Sequence, residues 1–191
     1  MRILIVAATP PEIEGIISDF GFQIYDCDQG ANISADKKET LDKLSIHTLI
    51  TGAGMVATAF ALGNHLATNK YDLAINLGIC GSFNRDIQLG EVLEITHDTF
   101  AELGAEDGDE FITIDTLGFG ESTFTSSYTL PDSVNLKKAT AITVNTVHGN
   151  EASIQKTAKR VNVQLESMEG AAFFYACRQM DLPCVQIRAV S

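Results

Sequence analysis

The sequence predicts an α/β domain with a mostly parallel sheet, on three observations. Short runs rich in β-branched and aliphatic residues recur along the 191-residue chain. Several are apolar on both faces, as strands covered by helices on each side are. Stretches with apolar residues at helical spacing lie between them, and the alternation of the two is the pattern of a parallel sheet with crossover helices.

Taken in order, "RILIVAA" (2–8) reads as the first strand, and "TPPEIEGIISDF" (9–20) as a helix entered through two prolines. "HTLIT" (47–51) is a strand, followed by a helix over "MVATAFALGNHLATN" (55–69). "LAINLG" (73–78) and "GEVLEIT" (90–96) are strands. "TAITVNT" (140–146) is another, with a helix after it over "NEASIQKTAKRV" (150–161). A last helix begins near Met168, and "CVQIRAV" (184–190) closes the sheet. The segment 100–135 breaks the pattern, being acidic, Gly-rich and long. Such segments are functional lids or hold short elements of their own. With no repeat and no Gly/Ser/Pro-rich linker, one domain over 1–191 is expected.

Composition narrows the function classes. At 45% apolar and 20% charged the chain is globular in character. Its net charge of −12 argues against nucleic acid and anionic membrane as partners. No run approaches the ~20 apolar residues of a membrane-spanning helix. The apolar N-terminus runs into Pro10, Pro11 and Glu12, which fits a strand and not a signal peptide, so a cytoplasmic protein is expected. Cys27, Cys80, Cys177 and Cys184 form no CxxC pair, and the four histidines show no ligand spacing. Buried thiols and no metal are expected.

In sheets of this kind ligands bind at the carboxyl ends of the strands. The residues there are Thr9–Glu12, Thr51–Met55, Gly78–Phe83 and Asn145–Gly149, with Glu169 opening a helix at the same edge. "TGAGMVA" (51–57) fits G-x-G-x-x-A, a permitted dinucleotide fingerprint. It follows the wrong strand and lacks the later acidic residue, which leaves a ligand-facing turn or a plain one. "NLGICGSF" (76–83) reads as a strand and a small-residue turn, in which Gly78 and Gly81 permit close approach of the backbone to a ligand. Thr9-Pro10-Pro11-Glu12 has the form of a capping box, which alone explains Glu12. Glu169 at a helix start has an equally plain explanation in the helix dipole. Two carboxylates on one sheet edge can also divide acid–base and binding roles. His148 and His97 read as hydrogen-bonded structural histidines.

"ILIVAATPPE", "ITGAGMVATA", "INLGICGSF", "SMEGAA" and "VQIRAVS" together resemble, in order and spacing, the nucleoside phosphorylase and nucleosidase superfamily over essentially the whole chain. The resemblance implies a three-layer αβα fold with a central mixed, mostly parallel sheet. Phosphorylases of this type hold phosphate with an Arg and a Ser where this chain has Asn76 and Ile79, neither of which offers that cradle. The resemblance therefore points to the hydrolytic nucleosidases. "FAELGAEDGDEF" and "TVNTVHG" are similar to the futalosine hydrolases among them, which serve menaquinone biosynthesis; the alternatives are the methylthioadenosine/S-adenosylhomocysteine nucleosidases or a non-catalytic nucleoside binder.

The resemblance implies Glu12 as the base that activates water and Glu169 as the acceptor for ribose hydroxyls. The substrate-binding set it implies is Ala8, Gly54, Gly78, Ile79, Val147, His148, Ser167 and Met168. It further implies a small-molecule purine nucleoside as partner, no metal or other cofactor, no phosphate, and a homo-oligomer. The residue that handles the leaving base in this superfamily would follow Ser191. The chain is thus expected to be a single nucleosidase domain without its C-terminal helix.

Overall fold

The computed structural model describes residues 1–15, 18, 23–26, 44–108 and 110–191. Strand β1 (Arg2–Ala7) shows why the sheet is central. Its Leu4 and Val6 enter one apolar cluster with Leu62, Leu66, Phe173 and Phe174, while Ile5 and Ala7 enter another with Ile13 and Ile50. Successive side chains point to opposite faces, so a strand apolar throughout needs cover on both. Phe173 and Phe174 are fully buried, each contributing about 1.5–3 kcal/mol.

Nine strands form one mixed sheet. After β1 come β2 (Gln23–Asp26) and β3 (Ser45–Ile50), then β4 (Leu73–Ser82) and β5 (Val92–Phe100). Strands β6 (Gly104–Asp107) and β7 (Glu110–Thr113) form a separate antiparallel pair, and β8 (Thr123–Thr125) joins β5. Strands β9 (Lys137–Thr143), β10 (Leu165–Ser167) and β11 (Cys184–Val190) complete the set. The order across the sheet is β10-β9-β5-β11-β4-β1-β3-β2, and β10 also pairs antiparallel with the far end of β4. Strands β1, β3, β4 and β11 are mutually parallel, whereas β5 runs antiparallel to β11.

Helix α1 (Met55–Thr68) and helix α3 (Gly170–Gln179) share the face of Leu4 and Val6. Helix α2 (Glu151–Arg160) starts at Asn150, whose side chain accepts the Ser153 N–H at 3.0 Å, and ends on Lys159 and Arg160, where cations suit the helix dipole. Of the helix expected over 9–20, the described part is a 3-10 turn at Pro10–Glu12 and helical residues 14, 15 and 18; the rest lies outside the described residues, as does Cys27. Cys80, Cys177 and Cys184 are free, buried thiols.

The irregular segment 100–135 holds short elements of its own, the antiparallel β6–β7 pair and β8. One expectation changes: β4 does not turn at Gly78 but continues to Ser82, with Arg188 opposite Gly78 and Glu166 opposite Gly81. Both glycines are needed inside a strand, because side chains from neighbouring strands cross the space their own would fill.

Candidate active site

Arg188 lies on β11 directly opposite Gly78 and is 1% exposed. A Cβ at Gly78 would overlap its Nη1 and stand 2.7 Å from Glu12 Oε1. The missing side chain of Gly78 thus leaves the space that the guanidinium and the Glu12 carboxylate occupy from its two sides. Arg188 Nε donates to Gln186 Oε1 at 2.7 Å, and Nη2 donates to Asn76 Oδ1 at 2.5 Å. Nη1 makes no hydrogen bond among the described residues and stands 3.7 Å from Glu169 Oε2.

Glu12 divides its two oxygens. Oε2 accepts the Thr9 N–H at 2.7 Å and the Thr9 hydroxyl at 3.0 Å, closing the turn that Pro10 and Pro11 begin. Oε1 faces the other way and accepts the Ile79 N–H at 3.3 Å. The cap and the site are one arrangement.

Glu169 is 6% exposed and makes no side-chain bond to its own helix, although it is the residue at the helix boundary. Oε1 instead accepts the Gly54 N–H at 3.0 Å, from the turn before α1, and Oε2 faces Arg188. Gly54 has φ +94°, the left-handed region that glycine supplies at little cost, and this turns its N–H toward the carboxylate at the start of α1.

Glu12, Gly54, Gly78, Ile79 and Glu169 are therefore brought together around one guanidinium. Ala8 is buried where its carbonyl accepts the Gly52 N–H at 3.0 Å, and Met168, half-buried, precedes Glu169. Ser167 is buried, and its hydroxyl oxygen accepts the Gly170 N–H at 3.2 Å, fixing the start of α3. His148 sits farther along: Nδ1 lies 2.5 Å from Glu166 Oε2, and Nε2 lies 2.9 Å from the Thr157 hydroxyl. That is a held, structural ring. Val147 beside it is exposed. Asn76 is equally committed, donating to the Val6 carbonyl at 3.0 Å and accepting from Arg188.

Sequence reasoning passed over Arg188, Gln186 and Asp98. The signal was present: "CVQIRAV" carries an amide and a cation inside a strand otherwise suited to burial on both faces, and a buried cation requires a partner. A cavity of about 1010 Å³ lies elsewhere, over the outer faces of α1 and α3 among Val56, Phe60, Phe119 and Tyr175.

Gly78→Ala should show how tightly the cluster is built. The added methyl displaces Arg188 Nη1 or Glu12 Oε1, and a misplacement of that size costs on the order of 10²-fold in kcat. Overpacking lowers stability by about 1–3 kcal/mol. Steady-state kinetics and thermal unfolding of the alanine variant measure both.

The mixed sheet, with a buried arginine between its central strands and the Glu12 and Glu169 carboxylates near it, is that of a nucleoside phosphorylase-like α/β protein. The chain belongs to the phosphorylase superfamily, whose family model matches residues 2–191. It is 29% identical over 151 residues to the futalosine hydrolase of Thermus thermophilus, covering 75% of this chain and 67% of that protein. It is 32% identical over 126 residues to the futalosine hydrolase of Streptomyces coelicolor, covering 63% and 54%; the match thus spans about half the length of that relative. The native structure of futalosine hydrolase of Helicobacter pylori strain 26695 shares the fold, with a TM-score of 0.79 at 16% identity over 100% of this chain and 84% of that one.

Proposed function

We propose that the chain hydrolyses the N-glycosidic bond of a purine nucleoside, with futalosine as substrate and hypoxanthine as the released base. The observation that carries this reading is that Glu12 Oε1 and Arg188 Nη1 flank Gly78, with Glu169 Oε2 3.7 Å from that nitrogen. Breaking the bond develops positive charge on the ribose and negative charge on the base. Glu169 accepts ribose hydroxyls and stabilises that cation. Glu12 Oε1, held by the Ile79 N–H, takes the proton of the attacking water, and Arg188 Nη1 donates to that water's oxygen. Hydroxide equivalent is thereby delivered to the anomeric carbon as the base departs with the bonding pair.

Neither Asn76 nor Ile79 offers phosphate a free side-chain donor. Asn76 is occupied by Arg188 and Val6, and Ile79 presents an exposed apolar side chain. The two futalosine hydrolase relatives support the choice of substrate. The reading includes a homo-oligomer: Val56, Phe60 and Phe119, each at least three-quarters exposed around an apolar cavity, form the kind of patch that a partner covers. It also includes a cytoplasmic setting, in keeping with the lack of any helix long and apolar enough to cross a membrane among the described residues.

The test uses the full-length protein with futalosine, with and without phosphate, and in parallel with methylthioadenosine. Hypoxanthine release indifferent to phosphate is expected. A strict need for phosphate overturns hydrolysis, and faster release of adenine from methylthioadenosine replaces the substrate.

A further inference from the structure

Behind Arg188 runs a buried chain of polar groups, Gln186, Asp98 and Thr143. We propose that Asp98 is a positioning residue for the hydrolysis: through Gln186 it sets the hydrogen-bond polarity that leaves Arg188 Nη1 facing Glu12 and Glu169. The inference rests on the function proposed above.

An amide can present either its oxygen or its NH2 to a neighbour, and a guanidinium has only donors. Arg188 is held by two amide oxygens, so something must fix the orientation of each amide. For Asn76 it is the Val6 carbonyl, which can only accept. For Gln186 it is Asp98: Gln186 Nε2 donates to Asp98 Oδ2 at 3.0 Å, which turns Oε1 toward Arg188 Nε. The second oxygen of Asp98 serves the other half of the site. The Thr143 hydroxyl accepts the Ala171 N–H at 2.7 Å and therefore donates its hydrogen to Asp98 Oδ1, at 2.8 Å. Ala171 is in the first turn of α3, the helix that Glu169 begins. One carboxylate thus ties the frame of Arg188 to the frame of Glu169. The packing has no slack, since a Cβ on Gly170 would overlap both Asp98 Oδ2 and Gln186 Oε1.

Both Asp98 oxygens act as acceptors, so the arrangement uses the ionised form; a proton on either would point at a donor already in place. Asp98 is fully buried, and burial pushes its carboxyl up to about 6 against the pull of Gln186, Thr143 and Arg188. The charged and titratable groups facing it are Arg188 from β11, Glu169 from the start of α3, and the Cys80 thiol from β4, which burial pushes up to about 11. Activity and stability then respond to this one proton with opposite signs. Positioning is lost as pH falls through about 6. Because the folded value is raised above the ordinary 3.8, the group's contribution to stability is full below the ordinary value and is lost as pH rises to about 6. A residue with a merely structural role would leave kcat flat across that window.

The experiment compares kcat and KM for futalosine across the neutral-to-acid range in the full-length protein, in Asp98→Asn and in Gln186→Met, with circular dichroism to confirm folding. Asparagine supplies one acceptor where two are used, and methionine keeps the volume of Gln186 without its amide. Each variant should lose on the order of 10²-fold in kcat, with KM within about threefold of wild type. The limb of the kcat profile near pH 6 should be present in the wild type, absent from Asp98→Asn, and moved to higher pH in Gln186→Met, which removes a hydrogen bond that holds the Asp98 carboxyl down. A folded variant that keeps the wild-type kcat and that limb overturns the inference. If Asp98→Asn does not fold, Gln186→Met decides. A wild-type protein that releases no base at any pH sinks the proposed function instead, so the two failures are distinguishable.

Discussion

Glu12→Gln is expected to lower kcat by about 10²–10⁴-fold, the contribution of a positioned general base. The substitution separates the two tasks this side chain performs. Glutamine keeps the length and the oxygen of glutamate, so one amide oxygen can still accept the Thr9 N–H now bonded at 2.7 Å. The NH2 then takes the Oε1 position, opposite the Ile79 N–H, where two donors face each other and no base remains. If glutamine turns the other way, the cap bonds to Thr9 are lost, at about 0.5–2 kcal/mol. Either way the loss of turnover exceeds anything a small loss of stability explains. The measurement is single-turnover hydrolysis beside thermal unfolding. Wild-type turnover in Glu12→Gln would reduce Glu12 to a helix cap and remove the basis for hydrolysis.

What the sequence displayed and what it hid follow from the physics of each position. Strand and helix periodicities were plain because β1, β4 and β11 are central, and centrality writes itself as continuous apolar runs. Glu12 and Glu169 were legible because an acid at the mouth of a strand, or at the threshold of a buried helix, departs from its surroundings. Arg188 was equally out of place within "VQIRAV", but its partners are scattered over the chain: Asn76 lies on β4, Gln186 beside it on β11, and Asp98 on β5. Only the register that sets Arg188 opposite Gly78 brings them together, and register between distant strands is not a local property. The same register explains why Gly78 and Gly81 resemble a turn in sequence. A glycine that ends a strand and a glycine that lets a neighbour's side chain cross one look alike until the neighbour is known. The segment 100–135 was opaque because its strands are three or four residues long and largely exposed, too short to carry a period.

Arg188→Met should be the most damaging single change to the fold and should abolish hydrolysis. The side chain is 1% exposed and satisfies Gln186 Oε1, Asn76 Oδ1 and the charge of Glu169 at once. Methionine fills much of the volume, leaves two buried amide oxygens without these donors and strips a buried carboxylate of its counter-charge. Breaking a buried pair by removing one partner costs about 3–5 kcal/mol. At about 2–4 °C per kcal/mol for a chain of this size, a fall in Tm on the order of 10 °C follows. The attribution to Glu169 is checked by the double variant Arg188→Met with Glu169→Gln, in which no buried carboxylate is stranded at that position. It should recover part of the loss, with a coupling of about 0.5–3 kcal/mol, while remaining inactive. Additive losses in the double variant would mean that Arg188 and Glu169 do not depend on each other, and the shared guanidinium would then not be what assembles this site.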